Sequence, residues 1–189
     1  MGVGRSLAYF NHAGLSHPVA AVTARMRTAE KAYRTQLFSE AEIGSYYAAL
    51  EECRRAIAEL MGLETPAGIS ILANASAAIQ ILLSAVGAPL GPGDTITPLD
   101  QEHPCVTRPI GMLAARGVAV VTLTAASGTE LLTRIEEQVH ARRPALVILS
   151  HVSYKNGRIL PVAEIGAILA REAIPYIVDG AAGARPYCS

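Results

Sequence analysis

Short apolar segments alternate with helical segments from residue 69 to residue 178, and only a few residues separate them. The segments with strand character are residues 69–73, 95–99, 118–123, 145–150 and 174–178. The segments with helical character are residues 76–86, 107–116, 127–141 and 161–172. Strand–helix alternation with short links is typical of a mostly parallel sheet covered by helices. We therefore predict an α/β fold. The first of these helices is apolar nearly all round, which predicts that it is buried.

The residues before this alternation are predicted to be irregular and then helical. Residues 1–18 contain several turn formers, which predicts an irregular segment. Helices are expected over residues 18–33 and 39–61; a capping-box pattern from Ser39 opens the second, and Gly62 ends it. Because no linker composition appears, residues 19–189 are predicted to form one domain.

Composition excludes several classes of function. Of 189 residues, 51% are hydrophobic, and the formal net charge is zero, so no basic surface for nucleic acid is indicated. The start of the chain has no apolar stretch typical of a signal peptide, and the apolar run 79–90 is too short to span a bilayer. Cys53, Cys105 and Cys188 are odd in number and far apart. They predict reduced, buried thiols of a cytoplasmic protein, with no disulfide framework and no zinc site.

A carboxylate stands at the end of the last predicted strand. Asp179 directly follows residues 174–178, and small residues come after it. The carboxyl ends of strands are where open α/β sheets bind ligands. A carboxylate there can hold a protonated ring nitrogen, as pyridoxal phosphate (PLP) needs. An aspartate that caps a helix is the simpler alternative.

Two other predicted strands are followed by groups that suit the same ligand. The first strand, residues 69–73, leads into a helix near Ala75 and Ser76, whose free N–H groups and dipole favour an anion. Ser76 acting only as a helix cap is the alternative. His103 follows residues 95–99 and offers a flat ring for stacking or proton transfer. A loop histidine bonded to the backbone is the alternative there.

Taken in order, these motifs resemble the class V aminotransferase-like enzymes of PLP fold type I. That group includes cysteine desulfurases, selenocysteine lyases, kynureninases and isopenicillin N epimerase-like proteins. Residues 150–161, Ser-His-Val-Ser-Tyr-Lys-Asn-Gly-Arg-Ile-Leu-Pro, also resemble a segment of this family. The resemblance covers nearly the whole chain from Tyr9 and implies the family's N-terminal arm (1–18) and an incomplete PLP-binding large domain (19–189).

The resemblance implies a role for each candidate residue. Ala75 and Ser76 match the loop that holds the cofactor phosphate, with Ala75 limited to a backbone contact. His103 matches the histidine that stacks on the pyridine ring. Asp179 matches the aspartate that pairs with the protonated ring nitrogen. The catalytic residues expected are therefore His103 and Asp179.

The sequence departs from the family pattern at two positions. Tyr154 stands where the family has an asparagine that contacts the cofactor edge, and we expect its phenol to reach the cofactor's phenolic oxygen. Ala182 stands where the family often has a glutamine that touches the same oxygen. His151 and Ser153 are expected to be structural or to face the substrate. Cys105 is not expected to be a nucleophile, because the family's desulfurase thiol lies in a later loop.

The family's Schiff-base lysine lies in a Ser-x-His-Lys motif, one strand beyond the aspartate, and no such motif follows Asp179 here. The two lysines of this sequence are Lys31, expected to be exposed, and Lys155, which lies in a predicted turn near the site. Replacement of the family lysine by Lys155 stays open. We expect the lysine on a C-terminal half or a second polypeptide, and a half-built sheet should then expose an apolar edge. A truncated product is the alternative.

The function implied by the resemblance is that of a PLP-dependent enzyme acting on an amino acid or an amine. Lyase or desulfurase-type elimination through an external aldimine is favoured over class V aminotransferase or epimerase chemistry. A homodimer is also implied by the family. A non-catalytic pseudoenzyme that acts as a scaffold is the alternative from a different class.

Overall fold

The computed structural model describes residues 14–35 and 40–183, and the chain divides into two compact units after residue 71. The first unit contains α1 (Ala20–Thr35), α2 (Glu40–Leu60) and a 3-10 turn (Pro66–Gly68). The predicted capping residue Ser39 and most of the predicted arm lie outside the described residues. Gly62, with φ of +67°, ends α2 by taking a left-handed conformation that favours glycine. Cys53 is exposed on α2, so the prediction that it is a buried apolar residue is wrong.

The second unit is a parallel sheet of four strands in the order β2-β1-β3-β4. The strands are β1 (Thr95–Pro98), β2 (Ala119–Val120), β3 (Leu146–Ser150) and β4 (Tyr176–Asp179). The helices are α3 (Ala75–Gly87), α4 (Pro104–Ala114), α5 (Gly128–Arg142) and α6 (Val162–Arg171). This architecture confirms the predicted α/β class with a parallel sheet and covering helices.

Helices cover both faces of the sheet. Along β3, Leu146 and Ile148 pack in a cluster with the apolar side chains of α3 and α4. Val147 and Leu149 pack in a second cluster with those of α5 and α6. Alternate side chains of a strand point to opposite faces, so a strand buried along its whole length requires cover on both.

Local signals place the helix starts. Ser127 caps α5, because its hydroxyl oxygen accepts a hydrogen bond from the Glu130 N–H at 3.1 Å. The Glu130 carboxylate accepts in turn from the Ala126 N–H at 2.8 Å, so a reciprocal capping box is present and reaches one residue further back than Ser127. The chain enters β1 through a turn at 91–94, where Gly93 has φ of +101°. In this turn, the Asp94 N–H donates to the Gly91 carbonyl at 3.1 Å.

Three predictions about these elements are wrong. Residues 69–73 form no strand, because they pair with none of the four strands, and a strand exists only with a neighbour. Helix α4 begins at Pro104, three residues before the predicted start, because proline suits the first helical turn. Helix α3 is buried on one side only, since Ile81 and Leu82 are 53% and 46% exposed.

In the part of the chain that the structure describes, no helix is both long enough and apolar enough to cross a membrane.

Candidate active site

Three strands bring the candidate residues to one edge of the sheet. The sheet is parallel, so the carboxyl ends of β1, β3 and β4 lie at the same edge. Ser150 and Asp179 end β3 and β4 and are register partners. The loop after β1 leads through residues 99–103 into α4. The sequence prediction of a site at this edge therefore joins groups that are far apart in the chain.

The Asp179 carboxylate is buried, at 8% exposure. Its Oδ1 accepts a hydrogen bond from the Ala181 N–H at 3.0 Å. Its Oδ2 lies 3.8 Å from the Cys105 Sγ, which is a long contact with a weak donor. Among the described residues, no basic side chain forms an ion pair with this carboxylate. Asp179 thus accepts a hydrogen bond from the backbone N–H two residues later, much as an aspartate that caps a helix would. Its other carboxylate oxygen has only the Cys105 thiol as a partner in the described part of the chain.

Cys105 connects Asp179 to the start of α3. The Cys105 thiol contacts the Asp179 carboxylate, and the Ser76 side chain lies close enough to lower the pKa of this thiol. Burial raises the pKa of the Cys105 thiol, and the Asp179 charge raises it further. The thiol is therefore protonated at neutral pH and can donate to the carboxylate. This contact was missed at the sequence level, where Cys105 was considered only as a nucleophile or a core residue.

The first turn of α3 presents free backbone donors. Asn74 caps this helix, since its Oδ1 accepts from the Ala77 N–H at 2.9 Å, so the alternative in which Ser76 acts as the helix cap is wrong. Asparagine precedes the helix in extended conformation and is a better cap than a residue already inside it. The N–H groups of Ala75 and Ser76 have no acceptor among the described residues, and both residues are exposed. They suit an anion.

His103 caps α4 with its ring. Nδ1 accepts a hydrogen bond from the Cys105 N–H at 3.2 Å, so a neutral ring carries its proton on Nε2. The ring meets the Tyr154 ring edge to face, with centroids 4.9 Å apart and planes at 80°. His103 is therefore bonded to the backbone, as the alternative of a loop histidine predicts. Its ring remains exposed at the site.

Residues 150–155 hold the loop before His103. Ser153 Oγ donates to Gln101 Oε1 at 2.8 Å, which fits the structural role expected for Ser153. Lys155 Nζ donates to the Asp100 carbonyl at 3.0 Å, so this ammonium is directed at the loop after β1. Lys31 is exposed, as predicted.

Glu102 is the residue of the site that the sequence prediction passed over. Its side chain is 4% exposed, and Ser150 donates to both carboxylate oxygens. Burial raises the pKa of the Glu102 carboxyl; the hydrogen bonds from Ser150 oppose this shift, and the charges of Asp179 and Asp100 add to it. The available signal was an acidic residue directly before a candidate histidine.

The residues present fit PLP by two features of this structure. The buried Asp179 Oδ2 has only a thiol as partner and can accept from a protonated ring nitrogen. The exposed N–H groups at the start of α3 can donate hydrogen bonds to a phosphate. Cys105 contacts Asp179, and Ser76 lies close enough to lower the pKa of the Cys105 thiol, so the two features are neighbours.

Comparison with known proteins gives a consistent family. The family model described as aminotransferase class-V matches residues 8–186. A probable cysteine desulfurase from Mycolicibacterium paratuberculosis is 30% identical over 136 residues, which are 70% of this chain and 20% of that protein.

Solved structures are similar over nearly the whole chain. The cystine C-S lyase C-DES, in complex with its reaction product cysteine persulfide, is 28% identical with a TM-score of 0.78. The match covers 93% of this chain and 48% of C-DES. A lysine-to-alanine variant of C-DES, with glycine covalently linked to its PLP cofactor, gives a TM-score of 0.75. DndA from Streptomyces lividans is 26% identical with a TM-score of 0.69, over 84% of this chain and 44% of DndA. The chain spans about half the length of these solved relatives.

Proposed function

The chain belongs to the aminotransferase class-V family, and from this premise we propose that it is the cofactor-binding, N-terminal portion of a PLP-dependent enzyme. The observation that carries the proposal is the Asp179 carboxylate. It ends β4 at 8% exposure and has no basic partner among the described residues. Because an unpaired buried charge is costly, a cationic ligand group is the partner this carboxylate needs.

Each candidate residue has one task in this proposal. The N–H groups of Ala75 and Ser76 bind the phosphate, and Asp179 accepts from the ring nitrogen. The His103 ring stacks on the cofactor, and Tyr154 contacts His103 and the cofactor edge. When bound, PLP supplies an electron sink for negative charge that develops on the substrate. His103 carries its proton on Nε2, which makes Nε2 the nitrogen that can donate to a bound substrate.

We propose lyase-type elimination from an amino acid that carries sulfur on its side chain. C-DES is described as a cystine C-S lyase with cysteine persulfide as its product, and the mycobacterial relative is named a cysteine desulfurase. The class V aminotransferase or epimerase reaction is the alternative. This site departs from the family pattern at two positions, Tyr154 and Ala182.

The assembled enzyme needs a lysine from outside these 189 residues. Lys31 and Lys155 are the two lysines of the sequence, and the Lys155 ammonium bonds to the Asp100 carbonyl. We propose that a C-terminal half or a second polypeptide brings the lysine to the edge of β4. β4 is an edge strand of the described sheet, which suits pairing of its outer side with a further strand. Tyr176 and Val178 are 43% and 37% exposed on one face of β4, so that face is only partly covered. A cytoplasmic homodimer of the assembled enzyme completes the proposal.

A scaffold without catalysis is the second candidate. The observation that favours it is the pair of departures at Tyr154 and Ala182, together with a Lys155 ammonium already bonded to a carbonyl. This candidate predicts that the purified protein and its natural partner bind no PLP.

The test is a PLP titration of the assembled protein with two matched aspartate variants. Asp179→Asn should weaken PLP binding about tenfold or more, because a hydrogen bond to a charged group is worth about 1.5–3 kcal/mol. Asp94→Asn is the control, since Asp94 also accepts a backbone hydrogen bond, from Gly91 at 2.9 Å, but in the turn before β1. Equal PLP affinity of the wild type and Asp179→Asn contradicts the proposal.

A further inference from the structure

Glu102 joins the loop after β1 to the end of β3. Its Oε1 accepts from the Ser150 N–H at 2.9 Å, and its Oε2 accepts from the Ser150 hydroxyl at 2.6 Å. Ser150 is the register partner of Asp179, and the next residue, His151, donates its N–H to the Asp179 carbonyl at 2.9 Å. The carboxylate that precedes His103 is thus tied to the two strands that end at the site.

Two neighbouring contacts also hold the loop after β1 against residues 150–155. The Gln101 side chain accepts from Ser153 at 2.8 Å, and the Asp100 carbonyl accepts from Lys155 at 3.0 Å. Three consecutive residues before His103 are therefore each held by a residue from 150–155. His103 follows this clamp directly, and its ring contacts the ring of Tyr154 from the same segment.

Glu102 itself is out of reach of a substrate. It is 4% exposed, and the cavity beside it, lined also by Ser150, Ser153 and Arg158, measures about 10 Å³. A space of this size holds one water molecule at most. Any effect of Glu102 on the site must therefore pass through the residues that it holds.

Burial of this acid carries a free-energy cost that an apolar residue would avoid. Within the described residues, Glu102 forms no ion pair, and its hydrogen-bond partner is Ser150. Both oxygens are nonetheless hydrogen-bonded, which is the condition under which a buried carboxylate fixes one local arrangement. Glu102 is thus suited to fixing the position of the loop after β1.

We propose that Glu102 is a positioning residue: its carboxylate locks the loop after β1 onto the end of β3 and so holds the His103 ring against Tyr154. The consequence for cofactor binding rests on the proposed function. The positioning of His103 does not rest on the proposed function. We therefore measure the positioning of His103 and the binding of the cofactor with different readouts.

Two substitutions separate the hydrogen bonds from the charge. Glu102→Ala removes both acceptors and leaves the Ser150 N–H and hydroxyl without them. Glu102→Gln keeps the side-chain shape, because its oxygen can accept from the N–H while its amide donates to the Ser150 hydroxyl. Gln138→Ala is the matched control: Gln138 is also buried, at 8% exposure, and bonds to Thr97 within β1 rather than to the loop after it.

The first readout is the nuclear Overhauser contact between the His103 and Tyr154 ring protons, recorded on the full chain without added PLP. We expect this cross-peak in the wild type, Glu102→Gln and Gln138→Ala, and its loss in Glu102→Ala. If Glu102→Ala does not fold, Ser150→Ala carries the test, because it removes one of the two donors and should cost part of the cross-peak intensity. A cross-peak that persists at full intensity in a folded Glu102→Ala, or in Ser150→Ala, overturns the proposal.

The second readout is PLP affinity of the assembled protein. In metal sites, loss of a residue that orients a ligand typically costs about 10–100-fold in affinity, and by analogy we expect a loss of that size in Glu102→Ala and recovery in Glu102→Gln. Equal weakening by Glu102→Ala and Gln138→Ala would indicate a general loss of packing and would overturn the assignment. If the wild type binds no PLP while the cross-peak follows Glu102, the proposed function fails and the positioning role stands.

Discussion

Asp179 and Cys105 lie in contact although they are 74 residues apart in the sequence. The contact brings a thiol with a raised pKa against a buried carboxylate, and Ser76 lies close enough to the same thiol to oppose part of this shift. A protonated thiol donates a hydrogen bond and is a weak nucleophile. At the scale of single residues, Cys105 is therefore a partner of Asp179.

Alkylation rates test this interpretation of Cys105. At neutral pH, we expect iodoacetamide to modify the exposed Cys53 faster than Cys105, because burial and the Asp179 charge raise the pKa of the Cys105 thiol. Mass mapping of peptides separates the two sites. Asp179→Asn should speed the modification of Cys105 alone, and equal rates at both cysteines in the wild type would refute the interpretation.

The pH dependence of stability tests the burial of Glu102. Burial raises the pKa of this carboxyl in the folded state, so folding favours its protonated form. Its stabilising contribution is therefore present below the ordinary carboxyl pKa and is lost as the pH rises through the folded-state value. Glu102→Gln stays neutral, so its free energy of unfolding in urea titrations should rise relative to the wild type as the pH rises above the ordinary carboxyl pKa. A difference that stays constant or falls with pH contradicts this account.

At the scale of elements, helix starts position the site and part of the core. Asn74 caps α3, His103 caps α4 and Ser127 caps α5, each through a side-chain acceptor for a backbone N–H. The cap of α3 sets where the free N–H groups of Ala75 and Ser76 lie, and the cap of α4 sets where the His103 ring lies.

Removal of the α5 cap should lower stability without touching the site. Ser127→Ala is expected to cost about 0.5–2 kcal/mol in the free energy of unfolding, as for other N-cap serines. Thr133→Ala, an exposed change within the same helix, is the control and should be near neutral. Chemical denaturation measures both, and equal effects of the two changes would show that the cap is not what stabilises this helix.

The elements of the second unit were largely predictable because their signals are local. Caps, turns and apolar runs gave α3 to α6 and β1 to β4 within a few residues. The error at residues 69–73 arose because strand formation depends on a neighbour that the sequence does not reveal. The edge that gathers Ser76, His103 and Asp179 was predictable, because parallel strands share their carboxyl ends. The contact of Glu102 with Ser150 was not, because it joins side chains 48 residues apart.

At the scale of the whole molecule, the sheet of the second unit has two edges, β2 and β4. The β4 strand carries Asp179 at its end, and its outer side is open to pairing with a further strand. One face of β4 is also only partly covered, because Tyr176 and Val178 are exposed there. The central claim is that this chain holds PLP for a lysine supplied from elsewhere. That claim concerns the assembled protein and is tested on it.

A peptide mass map after borohydride reduction tests the claim most directly. The purified protein, with any polypeptide that accompanies it, is compared with and without reduction, which fixes PLP to the lysine that carries it. We expect one peptide outside these 189 residues to gain the mass of reduced PLP, with Lys31 and Lys155 unmodified. No gain on any peptide, or a gain on Lys155, would contradict the account.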